Sequence, residues 1–254
     1  MSQVIFPGAD RKRRPPPPTR SIIYYRGFGE DPCFYVAEIS PDSSKHFVGS
    51  GWLLQAQADL DAASRIRGAS TVQKSTVPGG GSFVDIKDPL GYNIRLLYGI
   101  TFRQKEEQQQ EKPKAVIFNS WEDNPRKGKF QRFDSGPSRI HKLGHYGFVV
   151  DRSQYESSVA WYLNTFSLAS PDILYDQATG KDIMIFMHIN KGDEFTDHHL
   201  LGHYYLEKKG WTNCWGVGRH LLGSQIFDYW LNPSGNVVEH YSDGDVVNDH
   251  TPAP

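Results

Sequence analysis

Two stretches of the chain repeat one another. Asp88 to Tyr98 reads DPLGYNIRLLY, and Asn232 to Tyr241 reads NPSGNVVEHY. Both place a proline and then a glycine between apolar-rich runs. Proline presets φ for a turn and glycine accepts positive φ, so each copy predicts a β-hairpin. A repeat of this kind implies that one supersecondary unit is used more than once, which confines the fold to tandem modules. The copies differ at one telling position. Six residues past each proline stands Arg95 in the earlier copy and Glu239 in the later one. A cation cannot ligate a metal directly, so only the later copy can carry a metal-binding carboxylate.

Strand alternation places Val237, Glu239 and Tyr241 on one face of the later hairpin and Val238 and His240 on the other. Glu239 thus sits in mid-strand in mostly apolar company, where a carboxylate is rarely buried without a partner. Taken alone, it reads as well as an exposed glutamate on an edge strand. His220 and Tyr229 lie upstream in GRHLLGSQIFDYW, and His145 lies in HKLGHYGFVVD, a run expected to form a strand. Histidine, glutamate, tyrosine and histidine on neighbouring strands are the usual material of a non-haem iron site. His145 could equally be an ordinary strand histidine. His198 reads as an exposed neighbour of His199, His188 as a structural strand residue and His203 as a residue on a helix. His240 faces away from Glu239.

These residues resemble the type I extradiol ring-cleavage dioxygenases of the vicinal oxygen chelate (glyoxalase/bleomycin-resistance) superfamily, in particular their fungal trihydroxytoluene-dioxygenase-like and glyoxalase-like branch. Gly218-Arg219-His220, then Tyr229, then Glu239 carries the likeness, which extends from Ser21 to about Pro252. The resemblance implies an α+β fold of tandem βαβββ modules forming two half-open β-cups. It implies Fe(II), with Mn(II) as a second candidate, held by two histidines and a glutamate. His145 and Glu239 are then metal ligands. His199 matches the residue that handles protons, and His220 and Tyr229 match those that hydrogen-bond the substrate oxygens. The implied partners are O₂ and a catechol-like or polyhydroxylated aromatic ring cleaved beside its vicinal hydroxyls.

Two segments of the family pattern have no counterpart. Asp197-His198-His199 runs directly into Leu200-Leu201-Gly202-His203, where relatives interpose a strand with a His-His pair that carries the second histidine ligand. A strand and helix expected before Ser21 are replaced by Met1 to Arg20, which contains RKRRPPPP. The first and fourth modules are therefore expected to be incomplete. A catalytically impaired or metal-free member of the fold, either a truncated product or a small-molecule binding protein, is the alternative. A glyoxalase- or isomerase-type enzyme is a third reading, weakened by Arg95.

The expected organisation is a disordered proline-rich tail (1–20), an N-terminal non-metal domain (21–100), a linker (101–138) and a C-terminal domain with the metal site (139–252). RQKEEQQQEKPK marks the linker, and Trp121 and Phe133 are expected to pin it. Leu60 to Arg67 and Tyr155 to Phe166 are expected helices. A net charge of −1 gives no electrostatic reason to expect nucleic acid or a membrane surface as partner. No apolar run approaches a membrane span, and Met1 to Arg20 has no signal-peptide core. Cys33 and Cys214 are expected to be reduced thiols in a cytoplasmic protein. Exposed edges of incomplete sheets would favour a homo-oligomer.

Overall fold

The computed structural model describes residues 22–40, 42, 44–104, 117, 119–120, 122–128, 138, 140, 142–170, 173–187, 199–221 and 224–244; for 199–201 it describes the backbone alone. The proline-rich tail, Trp121, Phe133, His188 and His198 lie outside them.

The chain begins with an antiparallel ribbon, β1 (Ile22–Tyr25) on β2 (Tyr35–Glu38). A βαβββ run follows: β3 (Gly49–Leu53), α1 (Gln57–Ala63), β4 (Gln73–Lys74), β5 (Ser82–Lys87) and β6 (Asn93–Tyr98). The strands order as β3-β6-β5-β4, with β3 parallel to β6 and the other pairs antiparallel. Further along come α2 (Tyr155–Phe166) and the ribbon of β7 (Ile173–Tyr175) with β8 (Asp182–Ile185). Last come α3 (His199–Lys208) and β9 (Asn213–Arg219), β10 (Ile226–Leu231) and β11 (Val237–Ser242), an antiparallel sheet ordered β11-β10-β9. Among the described residues, no helix is long and apolar enough to cross a membrane.

The repeat seen in sequence is a repeat in space. In the first hairpin the backbone N–H groups of Leu90 and Tyr92 donate to Asp88 Oδ1, and Gly91 takes φ +89°. In the second, Ser234 and Asn236 donate to Asn232 Oδ1, and Gly235 takes φ +83°. An Asp or Asn side chain that mimics a backbone acceptor, followed by a left-handed glycine, closes both turns. Arg95 and Glu239 each occupy the third position of their strand. Across the ladder Arg95 faces Asp85, and Glu239 faces Tyr229. The first copy fills the position with a two-bonded ion pair, Arg95 Nε and Nη2 to Asp85 at 2.8 and 2.7 Å, with the guanidinium 3.9 Å from the Phe83 ring centre. The copies also differ at one edge. β6 pairs with β3, whereas no described strand pairs with the outer edge of β11.

Leu60, Ala63, Val84, Ile86, Ile94 and Leu96 form the main core, and Tyr162 from α2 joins them. Removing a fully buried side chain such as Leu60 from water stabilises by about 1.5–3 kcal/mol. Tyr162 is 5% exposed and donates its hydroxyl to Asp88 Oδ2 at 2.8 Å. Trp52 of β3 packs on Phe166, ring centres 4.5 Å apart. The helix that follows His145 in sequence is therefore built into the apolar core of the first sheet.

Two local expectations change. The run containing His145 carries no ladder pairing over residues 142–150. It lies as an irregular segment whose aromatic side chains pack instead: Tyr146 contacts Trp52 and Phe47, and Phe148 contacts Tyr92 and Tyr162. Helix α1 starts earlier than expected, because Asp59 Oδ2 accepts the Ala56 N–H at its N-terminus, and it ends at Ala63. The α2 boundaries match expectation.

Candidate active site

The register of the last sheet sets one row of side chains. Trp215 of β9 pairs with Tyr229 of β10, which pairs with Glu239 of β11. Strand alternation keeps Phe227 and Tyr241 on the same face as this row. Asp228 and Trp230 point to the other face, towards α3. There His203 Nδ1 donates to the fully buried Asp228 Oδ1 at 3.0 Å, and Asn213 Nδ2 donates to the same oxygen at 3.1 Å. His203 thus serves packing of α3 on the sheet, in line with its reading as a helix residue.

His220 follows β9 directly. Its N–H donates to Gln225 O at 2.9 Å, closing the return to β10, and its ring lies 4.1 Å from that of Phe227. Its Nε2 comes within 3.2 Å of the Tyr229 hydroxyl and 3.4 Å of Glu239 Oε1. His145 reaches the same carboxylate from the irregular 142–150 segment: Nε2 lies 3.1 Å from Glu239 Oε2, and its ring is 5.0 Å from Tyr241. Gly144 makes that approach feasible, since a Cβ there would overlap the Tyr241 hydroxyl. The structure therefore brings together His145, His220, Tyr229 and Glu239. His199 is the first residue of α3, and its side chain lies outside the described residues. His240 pairs with Asp228, one step out of the row.

The electrostatics favour an ionised Glu239. Its side chain is 9% exposed. Burial pushes its carboxyl up, but the His145 hydrogen bond and charge, with help from Tyr229 and His220, outweigh that and hold it below the usual range. Burial and the neighbouring Glu239 charge push the Tyr229 phenol up, so it stays a protonated donor. The Tyr241 phenol is raised for the same two reasons. Glu239 Oε1 is buried, with His220 Nε2 3.4 Å away and the Tyr229 phenol beside it. A buried carboxylate needs such partners or a cation.

These donors fit part of a metal shell. Two ligands at right angles on one ion, with bonds of about 2.0–2.2 Å, lie roughly 3 Å apart. The His145–Glu239 separation of 3.1 Å is that of the direct hydrogen bond described above, and an ion shared by the two side chains would leave them at about the same distance. Among the described residues, no group of three His, Cys, Asp or Glu side chains is poised to hold a metal.

Sequence reasoning missed Trp215, Phe227 and Tyr241. The period-2 pattern already put Tyr241 beside Glu239, and Phe227 beside Tyr229. Trp215 needed the β9–β10 register, which a β-bulge shifts between Phe227 and Asp228.

No protein-family model matches the chain. Metapyrocatechase 2 from Cupriavidus necator is 30% identical over 150 residues, covering 44% of this chain and 46% of that protein. The chain thus matches somewhat less than half the length of this curated relative. Among solved structures, the Mn(II)-bound glyoxalase from Novosphingobium aromaticivorans superposes with a TM-score of 0.68 at 17% identity, covering 92% of this chain and 75% of that one. A catechol 2,3-dioxygenase gives 0.61 at 16%, over 99% and 83%. Homoprotocatechuate 2,3-dioxygenase from Arthrobacter globiformis gives 0.62 at 16%, over 92% and 73%. The chain has the vicinal oxygen chelate fold that these glyoxalase and extradiol dioxygenase structures share.

Proposed function

We propose that this chain is an extradiol-type dioxygenase that takes a vicinal dihydroxy-aromatic ring and O₂. The convergence of His145, His220 and Tyr229 on the buried carboxylate of Glu239 carries this reading. His145 and Glu239 would hold Fe(II) or Mn(II), which when bound supplies a Lewis acid and a path for electrons from the diol to O₂. The protein's own groups then have distinct tasks. Tyr229 and His220 donate to or accept from the diol oxygens, fixing the ring beside the anchor. His220 is placed to take or return a proton at a substrate oxygen. His199 is the proposed second proton carrier, by the resemblance of Asp197-His198-His199 to the family pattern.

The second reading is a metal-poor or metal-free binding protein of this fold. Among the described residues no group of three His, Cys, Asp or Glu side chains is poised to hold a metal, which is the observation that favours it. The organisation into a tail (1–20), an N-terminal domain (21–100), a linker (101–138) and a C-terminal domain (139–252) is part of the same proposal.

Anaerobic reconstitution with Fe(II), followed by metal analysis and then catechol and O₂, separates the two. The dioxygenase predicts near-stoichiometric iron, catechol-dependent oxygen uptake and a yellow ring-fission product. Protein that stays metal-free and consumes no oxygen selects the binding-protein reading.

A further inference from the structure

We infer that Tyr146 is a positioning residue for this site: its hydroxyl, anchored on β3 of the first sheet, fixes where the neighbouring His145 meets Glu239. The inference rests on the site reading above, and it gives the sheet that carries Arg95 a part in the site of its twin. His145 and Tyr146 are consecutive but reach different sheets. His145 Nε2 lies 3.1 Å from Glu239 Oε2 of β11, and the Tyr146 hydroxyl lies 3.2 Å from Ser50 Oγ of β3. No ladder pairing holds residues 142–150, so side-chain contacts have to fix this peptide. The hydroxyl belongs to a chain with one direction. Trp52 Nε1 donates to Ser50 Oγ at 2.9 Å, and Ser50 Oγ donates to the Tyr146 hydroxyl. The Tyr146 and Tyr162 hydroxyls are bonded to each other, and Tyr162 donates to Asp88 Oδ2 at 2.8 Å. An indole N–H only donates and a carboxylate oxygen only accepts, so each hydroxyl between them accepts once and donates once. The members of such a chain polarise and strengthen one another. Its far end is anchored: Asp88 is 5% exposed, and its other oxygen accepts the Leu90 and Tyr92 N–H groups. A metal ligand has to be placed within about half an ångström. The Tyr146 ring contacts, with centres 6.0 Å from Phe47 and 6.4 Å from Trp52, tolerate more than that, whereas hydrogen bonds do not.

The test compares the full chain with Tyr146→Phe, Ser50→Ala, Ser50→Thr and the Tyr146→Phe, Ser50→Ala double variant, with circular dichroism checking folding. Anaerobic dialysis measures Mn(II) dissociation constants. Tyr146→Phe and Ser50→Ala should each weaken binding by about three- to tenfold, the worth of one hydrogen bond. The double variant should be little weaker than either, because both changes break the same link. Ser50→Thr keeps the hydroxyl and should keep the unmodified affinity. A second readout needs no metal. The nuclear Overhauser contact between the His145 and Tyr241 rings, 5.0 Å apart, should weaken in Tyr146→Phe, while that between Trp52 and Phe166, 4.5 Å apart, persists. An unchanged His145–Tyr241 contact in folded Tyr146→Phe overturns the inference, whatever the affinity does, and leaves the site reading standing. Fully additive losses in the double variant make the two residues separate structural supports and overturn it too. If the unmodified protein binds no Mn(II), the site reading falls, and the ring contact then decides by itself whether Tyr146 places His145.

Discussion

The Tyr162 hydroxyl donates to Asp88 Oδ2 at 2.8 Å, tying α2 to the very turn that begins the first copy of the repeat. Burial first, then Asp88, pushes this phenol far above the usual tyrosine range. Tyr162→Phe deletes the donor but leaves Asp88 its two backbone partners, so the expected loss is about 1–3 kcal/mol. A melting temperature lower by roughly 2–10 °C would register it. The pH sign follows from the raised pKa. The folded state keeps a proton that the unfolded phenol releases near pH 10, so the contribution is full below that pH and fades as pH climbs above it. Denaturant titrations from pH 8 to 11 should show a steeper alkaline loss in the native chain than in Tyr162→Phe.

Asp228 is 1% exposed and accepts from both His203 and Asn213. Asp228→Ala takes the buried acceptor from the part-buried His203 and the exposed Asn213 and unpins α3 from β10. The expected cost is about 1–3 kcal/mol. Guanidinium unfolding should show that shift, and Asp228→Asn, which keeps an acceptor oxygen, should recover part of it.

Glu239→Gln removes the anionic anchor while preserving shape. His145→Ala removes its imidazole partner. Each should weaken Mn(II) or Fe(II) binding by about 100-fold or more, since disturbing only the surroundings of a ligand already costs roughly 10–100-fold. Anaerobic equilibrium dialysis reads this without turnover. Retained affinity in both variants would move the metal elsewhere.

Gly144→Ala puts a methyl where the Tyr241 hydroxyl sits. The expected result is a displaced His145 and a metal affinity reduced by about tenfold or more, because ligand placement within about half an ångström is required. Gly144→Ala with Tyr241→Phe frees that space and should restore binding.

Much of this architecture could be read from residues alone. The Asp-Pro-x-Gly and Asn-Pro-x-Gly signals gave both hairpins, because turn chemistry is local. Tyr229, His220 and Glu239 fell together because period-2 alternation and short connections leave few alternatives. That His145 lies beside Glu239 was only partly legible. Its segment has strand-like composition, but its aromatic side chains pack on Trp52, Phe47, Tyr92 and Tyr162, so no ladder forms. Composition reports what a segment can bury, not what it buries it against. The packing of Tyr162 in the first core is likewise long-range and left no local trace.

The Asp85–Arg95 pair has a further consequence. One sheet settles its cross-strand charges internally, while its twin gathers two histidines and a tyrosine around one buried carboxylate. An apolar residue of similar volume would serve a sturdy fold as well as such a buried charged cluster. A collection of variants screened only for thermal resistance should drift away from glutamate there, so a heat-tolerant descendant can be inert, and resistance to heat cannot stand in for an assay.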